Sequence, residues 1–125
     1  MLLIPTFIAD SRIPNAGLGV CCRDAVSAGT VIWRFVPGLD LIVKSLPENP
    51  VMRAFIHKYG YRPLSDPAIW IICTDNARFY NHAAQPNCHA NALEETVAAY
   101  DLEPGTELTE DYQDFCVEPF QNWHI

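Results

Sequence analysis

Basic residues are scarce in this 125-residue chain: eight Lys and Arg stand against fifteen Asp and Glu, a formal net charge of −7. That balance argues against direct nucleic-acid binding, which needs cations to neutralise phosphates. It suits a cationic partner such as a Lys-rich peptide, and also simple solubility. No apolar run approaches the roughly 18 residues of a membrane span, so no membrane association is expected. The cysteines Cys21, Cys22, Cys73, Cys88 and Cys116 are odd in number, form no CxxC pair and include two neighbours. Such a set does not read as a secreted disulfide framework. Met1 to Asp10 carries no basic leader, and Pro5 breaks its apolar start, so no signal peptide is expected. These absences predict a soluble intracellular protein with reduced thiols, cytoplasmic or, in a eukaryote, nuclear.

What is present is enough for a core. Half of the residues are apolar or aromatic and 18% are charged, which suits one folded domain spanning residues 1–125. Ten prolines and six glycines are spread along the chain, predicting many turns and disfavouring a helical bundle. Short β-branched and aromatic runs, Gly19 to Cys22, Val31 to Val36 and Leu39 to Val43, alternate with turn signals, as in a small β architecture. One helix is expected between Asn49, a good N-cap, and Gly60, with Pro50 in its first turn. Met52, Phe55, Ile56 and Tyr59 then form an apolar stripe expected to pack into the core. Ile69 to Thr74 reads as a buried strand, Asn76 to Asn87 as irregular, and Val97 to Tyr100 as a strand. A last short strand is expected from Leu108, running into an aromatic tail.

Three local patterns carry chemistry. Gly17-Leu18-Gly19 lets backbone approach a ligand, although a lone GxG is equally a tight turn. Arg78-Phe79-Tyr80-Asn81-His82 and Pro86-Asn87-Cys88 concentrate polar and aromatic groups that core packing does not require. By themselves they also read as a loop whose Asn and His cap its own turns. Gly105 to Tyr112 reads as a turn into an edge strand ending in a half-buried tyrosine.

In this order the three patterns resemble the SET domain, the fold of protein lysine methyltransferases. The matching stretches are Gly17 to Val20, Arg78 to Cys88 and Gly105 to Tyr112. The likeness runs from about Arg12 to Tyr112, around an insert at about 44–75 and ahead of a tail at 113–125. It implies a mainly β fold of several short sheets, with one short helix in the insert. It also implies a C-terminal pseudoknot that brings Asn81, His82 and Tyr112 together. The implied activity is methyl transfer from S-adenosylmethionine, leaving S-adenosylhomocysteine, to a lysine of a basic protein such as a histone or ribosomal protein. Leu18 and Gly19 would line the cofactor pocket with backbone. Asn81 would hold the methionine end with its side chain, and His82 the adenine with its main chain. Arg78 would anchor that loop at the cofactor site, and Tyr112 would sit by the reacting methyl group, aligning the amine or accepting its proton.

The chain departs from the family pattern in several places. Ala83 replaces a usual Ser, and Ala84 replaces the cysteine that often joins three later ones around zinc. Only Cys116 follows Tyr112, so no structural zinc is expected. The tail aromatics Phe115, Phe120 and Trp123 would then cover the adenine or the channel mouth, or complete the core, with Phe115 the expected cofactor contact. Candidate lysine-channel residues are Tyr59, Tyr61, Tyr80, Glu110 and Trp123. Glu110 stands where the family often has Tyr or Phe, and would either favour a cationic nitrogen or point to solvent. His57 is expected on the solvated helix face. Two alternatives follow: a SET scaffold that binds protein without catalysis, and a small metal-binding protein using His82, Cys88 and His89. A homodimer completing the groove is a further expectation.

Overall fold

A computed structural model describes residues 1–117, so Phe120 and Trp123 lie outside the described residues. Ten short strands form three sheets. The first pairs β1 (Thr6–Asp10) antiparallel with β2 (Leu18–Cys22). The third orders β4 (Leu41–Val43), β6 (Trp70–Ile72) and β5 (Gly60–Tyr61), all antiparallel. The central sheet contains β3 (Val31–Trp33), β7 (Asn81–His82), β8 (Cys88–Ala90), β9 (Thr96–Ala98) and β10 (Thr109–Glu110). Its spatial order is β3-β9-β8-β10-β7.

Helix α1 (Pro50–Tyr59) has the expected ends. Asn49 Oδ1 accepts from the N–H groups of Val51 and Met52 at 2.9 and 3.2 Å, satisfying donors that have no partner in the first turn. Gly60 closes the helix without left-handed geometry, at φ −91°. Its role is steric, since a Cβ there would lie 2.7 Å from the Ile56 carbonyl oxygen. The apolar stripe, by contrast, is not core. Only Ile56 is buried, while Met52 and Phe55 remain 58% and 45% exposed. The helix packs mainly against β5 and β6, and so covers one row of side chains. Phe55 instead packs against Tyr59, which meets Phe79 edge-on at 6.0 Å. His57 is exposed as expected and lies by Trp70.

Several strands are shorter than their apolar runs, and β1, β5, β7 and β8 fall outside the expected ones, β7 within the stretch read as irregular. Every residue of β1 but the last is half-buried, so it lacks the alternation that marks a strand from sequence. The three residues of β8 are too few to show a period.

One segment joins the sheets. Residues 105–108 run beside β2, with Gly105 N–H donating to Cys22 O, Cys22 N–H to Thr106 O and Leu108 N–H to Val20 O. The chain then enters the central sheet as β10, between β7 and β8 and parallel to both. Asn87 fastens it there. Its side chain donates to Glu107 O at 2.8 Å and accepts from Thr109 N–H at 2.9 Å, all buried. Beneath lies a core including Val20, Cys22, Ile32, Cys88 and Leu108, each with no exposed surface. All five cysteines are buried.

Asn87→Ala leaves a buried carbonyl and a buried N–H without partners, at about 1–3 kcal/mol each. It is expected to lower unfolding stability by more than about 2 kcal/mol, measured by urea denaturation. A loss below about 0.5 kcal/mol contradicts this account of how β10 is held.

Candidate active site

Three separate stretches converge where β10 enters the sheet. The parallel register sets Thr109 beside Asn81 and Glu110 beside His82. Before β7, a 3-10 turn over Asn76–Phe79 is capped by the Asp75 carboxyl, which accepts from Ala77 N–H. After β10, a second turn over Tyr112–Asp114 is capped in the same way by Asp111. These turns bring the Tyr112 side chain to the Tyr80 backbone, and the Tyr112 hydroxyl donates to the Tyr80 carbonyl. Tyr112 N–H donates to His82 Nδ1 at 3.2 Å, and the two rings meet edge-on at 5.5 Å. Tyr112 and Asn81 therefore share one neighbourhood despite their distance in sequence.

Asn81 also ties in the GxG segment. Its side-chain nitrogen donates to Leu18 O at 2.9 Å and to Glu107 Oε2 at 3.1 Å. Both partners are acceptors, which fixes the orientation of the amide. Its carbonyl oxygen is then the group left to receive a ligand's ammonium.

Glu107, which sequence reasoning missed, organises this corner. Its buried carboxyl accepts from Ser11 Oγ and Arg12 N–H at 2.7 Å each, as well as from Asn81. Gly19 leaves room for it, since a Cβ at Gly19 would fall 2.4 Å from Glu107 Oε2. The only signal in the sequence was an acidic residue beside the apolar Leu108, which a turn would explain equally well.

The aromatic candidates divide. Tyr61 meets Phe115 edge-on at 5.1 Å, and Phe115 meets Tyr112 at 5.6 Å. Residues 115–117 pair with 62–64, through Leu64 N–H to Phe115 O and Val117 N–H to Arg62 O, so Phe115 is held as a wall between the two tyrosines. Tyr80 turns its ring into the core, with its hydroxyl 3.7 Å from Cys88 Sγ. Tyr59 lies apart from Tyr112, among Phe55, Phe79 and the Arg78 guanidinium. Arg78 is exposed and stacks on the Tyr59 and Phe79 rings, so it clamps the turn to the helix end and touches neither Leu18 nor Asn81 with a hydrogen bond or ring contact. No group of three His, Cys, Asp or Glu among the described residues is arranged to hold a metal ion.

Electrostatics assigns protonation. Burial, reinforced by the nearby Glu110 charge, pushes the Tyr112 phenol well above its ordinary value. Tyr112 is therefore a neutral hydroxyl at physiological pH. Burial likewise raises Tyr61, and Cys88 goes up to about 12. Glu110 does not point to solvent: it is 5% exposed and accepts from Thr96 Oγ1 at 2.5 Å. Burial lifts its carboxyl to about 7, against the Thr96 bond, which lowers it, with the Asp114 charge adding to the rise. Tyr61, Tyr80, Tyr112, Cys73 and Cys88 all feel its charge.

A carboxyl raised on folding holds its proton longer in the native state. Native stability should therefore fall as pH rises from about 4.5 to about 7 and level off above. Glu110→Gln should remove that slope and gain on the order of 3 kcal/mol relative to the parent at pH 8. Urea unfolding of both proteins at pH 5 and pH 8 measures it, and an equal difference at the two pH values contradicts the assignment.

A profile for the SET domain matches residues 17–113, most of the chain. No curated protein shows significant sequence similarity. Among solved structures, Polycomb Repressive Complex 2 of Chaetomium thermophilum superposes with TM-score 0.68 at 16% identity, over 96% of this chain and 16% of that chain. The same complex in an autoinhibited conformation bound to S-adenosylmethionine gives 0.69 at 18% identity, over 92% and 16%. A third structure, carrying histone H3 in trimethylated and methionine-substituted forms, gives 0.63 at 15% identity, over 87% and 14%. The chain thus spans about a sixth of the length of these proteins, and at such identity the likeness is one of fold. Profile and fold agree: the chain belongs to the SET-domain family.

Proposed function

We propose that this protein is an S-adenosylmethionine-dependent protein-lysine N-methyltransferase. The observation that carries the reading is the convergence of Leu18, Asn81 and Tyr112 on one corner through hydrogen bonds between distant segments. The SET-domain family to which the chain belongs consists largely of lysine methyltransferases, and a structural neighbour is bound to S-adenosylmethionine. The chain is read as one domain, with the C-terminal segment passing beneath residues 83–87 as a pseudoknot. The insertion of β10 between β7 and β8 supports that threading.

The donor set fits the cofactor. Asn81 offers its carbonyl oxygen, Leu18 and Gly19 offer backbone, and the neighbouring Glu107 carboxyl favours the positive ammonium and sulfonium groups. Bound there, S-adenosylmethionine supplies a methyl group activated by its sulfonium. Displacement at that carbon is in-line, so the protein's contribution is alignment. Tyr112, its proton directed at the Tyr80 carbonyl, presents oxygen lone pairs to a substrate amine or to polarised methyl hydrogens. The rings of Tyr61, Phe115 and Tyr112 exclude water, which favours the neutral, nucleophilic lysine. The net charge of −7 favours a basic protein as substrate, with histone or ribosomal proteins as candidates.

Incubation with labelled cofactor and Lys-rich proteins should transfer label to lysine. Tyr112→Phe should reduce turnover at least about 100-fold with cofactor affinity nearly unchanged, whereas Asn81→Ala and Gly19→Ala should weaken cofactor binding about tenfold or more. Calorimetry and a transfer assay separate the two effects. Cofactor binding without transfer to any Lys-rich protein favours a non-catalytic binding module, and absence of both overturns the reading.

A further inference from the structure

A cavity of about 180 Å³ opens between the central and third sheets, far more than the ~10–15 Å³ that one water requires. Among the described candidate-site residues, only Tyr61 lines it. Three rings, Trp33, Phe35 and Tyr61, form its apolar walls, and Glu94 and Glu95 enter from the β8–β9 connection. Arg34 offsets one of these carboxylates, lying 3.4 Å from Glu95. Glu94 is held by Ser65, whose N–H and hydroxyl donate to it at 3.0 and 2.7 Å. Its backbone adopts φ 58°, a conformation costly for a non-glycine residue and one that concentrates at functional positions. Trp33 is 6% exposed, and its indole N–H is buried with no hydrogen-bond acceptor among the described residues.

These features define a ligand class. Aromatic faces beside carboxylates attract a cation, and one arginine against two glutamates leaves the lining negative. Each carboxylate has lone pairs beyond its present bonds. A basic residue within a peptide supplies such a cationic head. An anion would face Glu94 and Glu95, and an apolar side chain would leave the carboxylates unmatched. We propose that this cavity is a subsite for a second basic residue of the protein substrate, one flanking the lysine that is methylated. This deepens the methyltransferase reading and rests on it.

The test titrates the labelled full chain with Nα-acetyl-lysine methylamide and with its uncharged norleucine counterpart, following the Trp33 indole N–H signal by NMR. The lysine probe should shift that signal saturably, and the norleucine probe should bind about tenfold more weakly or worse. Glu94→Gln with Glu95→Gln should weaken the lysine probe about fivefold or more, while Tyr112→Phe leaves it unchanged. Equal response to both probes, or a shift confined to Tyr112 and Phe115, overturns the subsite. The assay is independent of turnover. A Trp33 response without methyl transfer supports cation recognition and removes the methyltransferase reading, whereas transfer with Trp33 silent removes the subsite alone.

Discussion

The carboxyl group of Glu107 is the constraint on which the candidate site depends. It is buried and satisfied by Ser11, Arg12 and Asn81, three donors from two distant stretches. A buried carboxyl needs such partners, because taking a charge or a strong acceptor out of water is costly. The need works as an assembly rule: the Ser11–Arg12 stretch, β7 and the segment entering β10 must meet for Glu107 to be satisfied. Gly19 is part of the same constraint, since only the absence of a Cβ admits the carboxyl.

A second buried carboxyl plays a different role. Glu110 lies three residues further along, in β10, with a single hydroxyl donor from Thr96 and no cation among its hydrogen-bond or ion-pair partners in the described residues. The outcome is a group poised near neutrality, surrounded by phenols and thiols that burial keeps protonated. Tyr112 thus works as a neutral hydroxyl whose direction is fixed by the Tyr80 carbonyl. The aromatic wall completed by Phe115 depends on the backbone pairing of 115–117 with 62–64.

Much of this was legible in order along the chain. The caps Asn49 and Gly60 marked the helix, because capping acts through residues adjacent in sequence. The stripe Met52, Phe55, Ile56 and Tyr59 marked an amphipathic helix but not the partner it would find, and most of that face stays uncovered. Strands β1 and β8 escaped notice because their register is imposed by neighbours rather than by alternation. Tyr59 and Tyr61 were indistinguishable as channel candidates, and only packing sends one towards Arg78 and the other towards Phe115.

By itself the sequence determined the family and the chemical cast: a GxG turn, an Asn-His pair, a Pro-Asn pair and a closing tyrosine, with a surplus of acid. Local pattern and residue type suffice for that, since turns, caps and reactive groups are properties of short stretches. The tertiary structure alone decided which carboxyl is a strut and which a titrating group, which tyrosine packs on Phe115, and that an indole N–H is left over near two glutamates. Those outcomes follow from burial and from contacts across many residues, and neither quantity is written in the order of the amino acids.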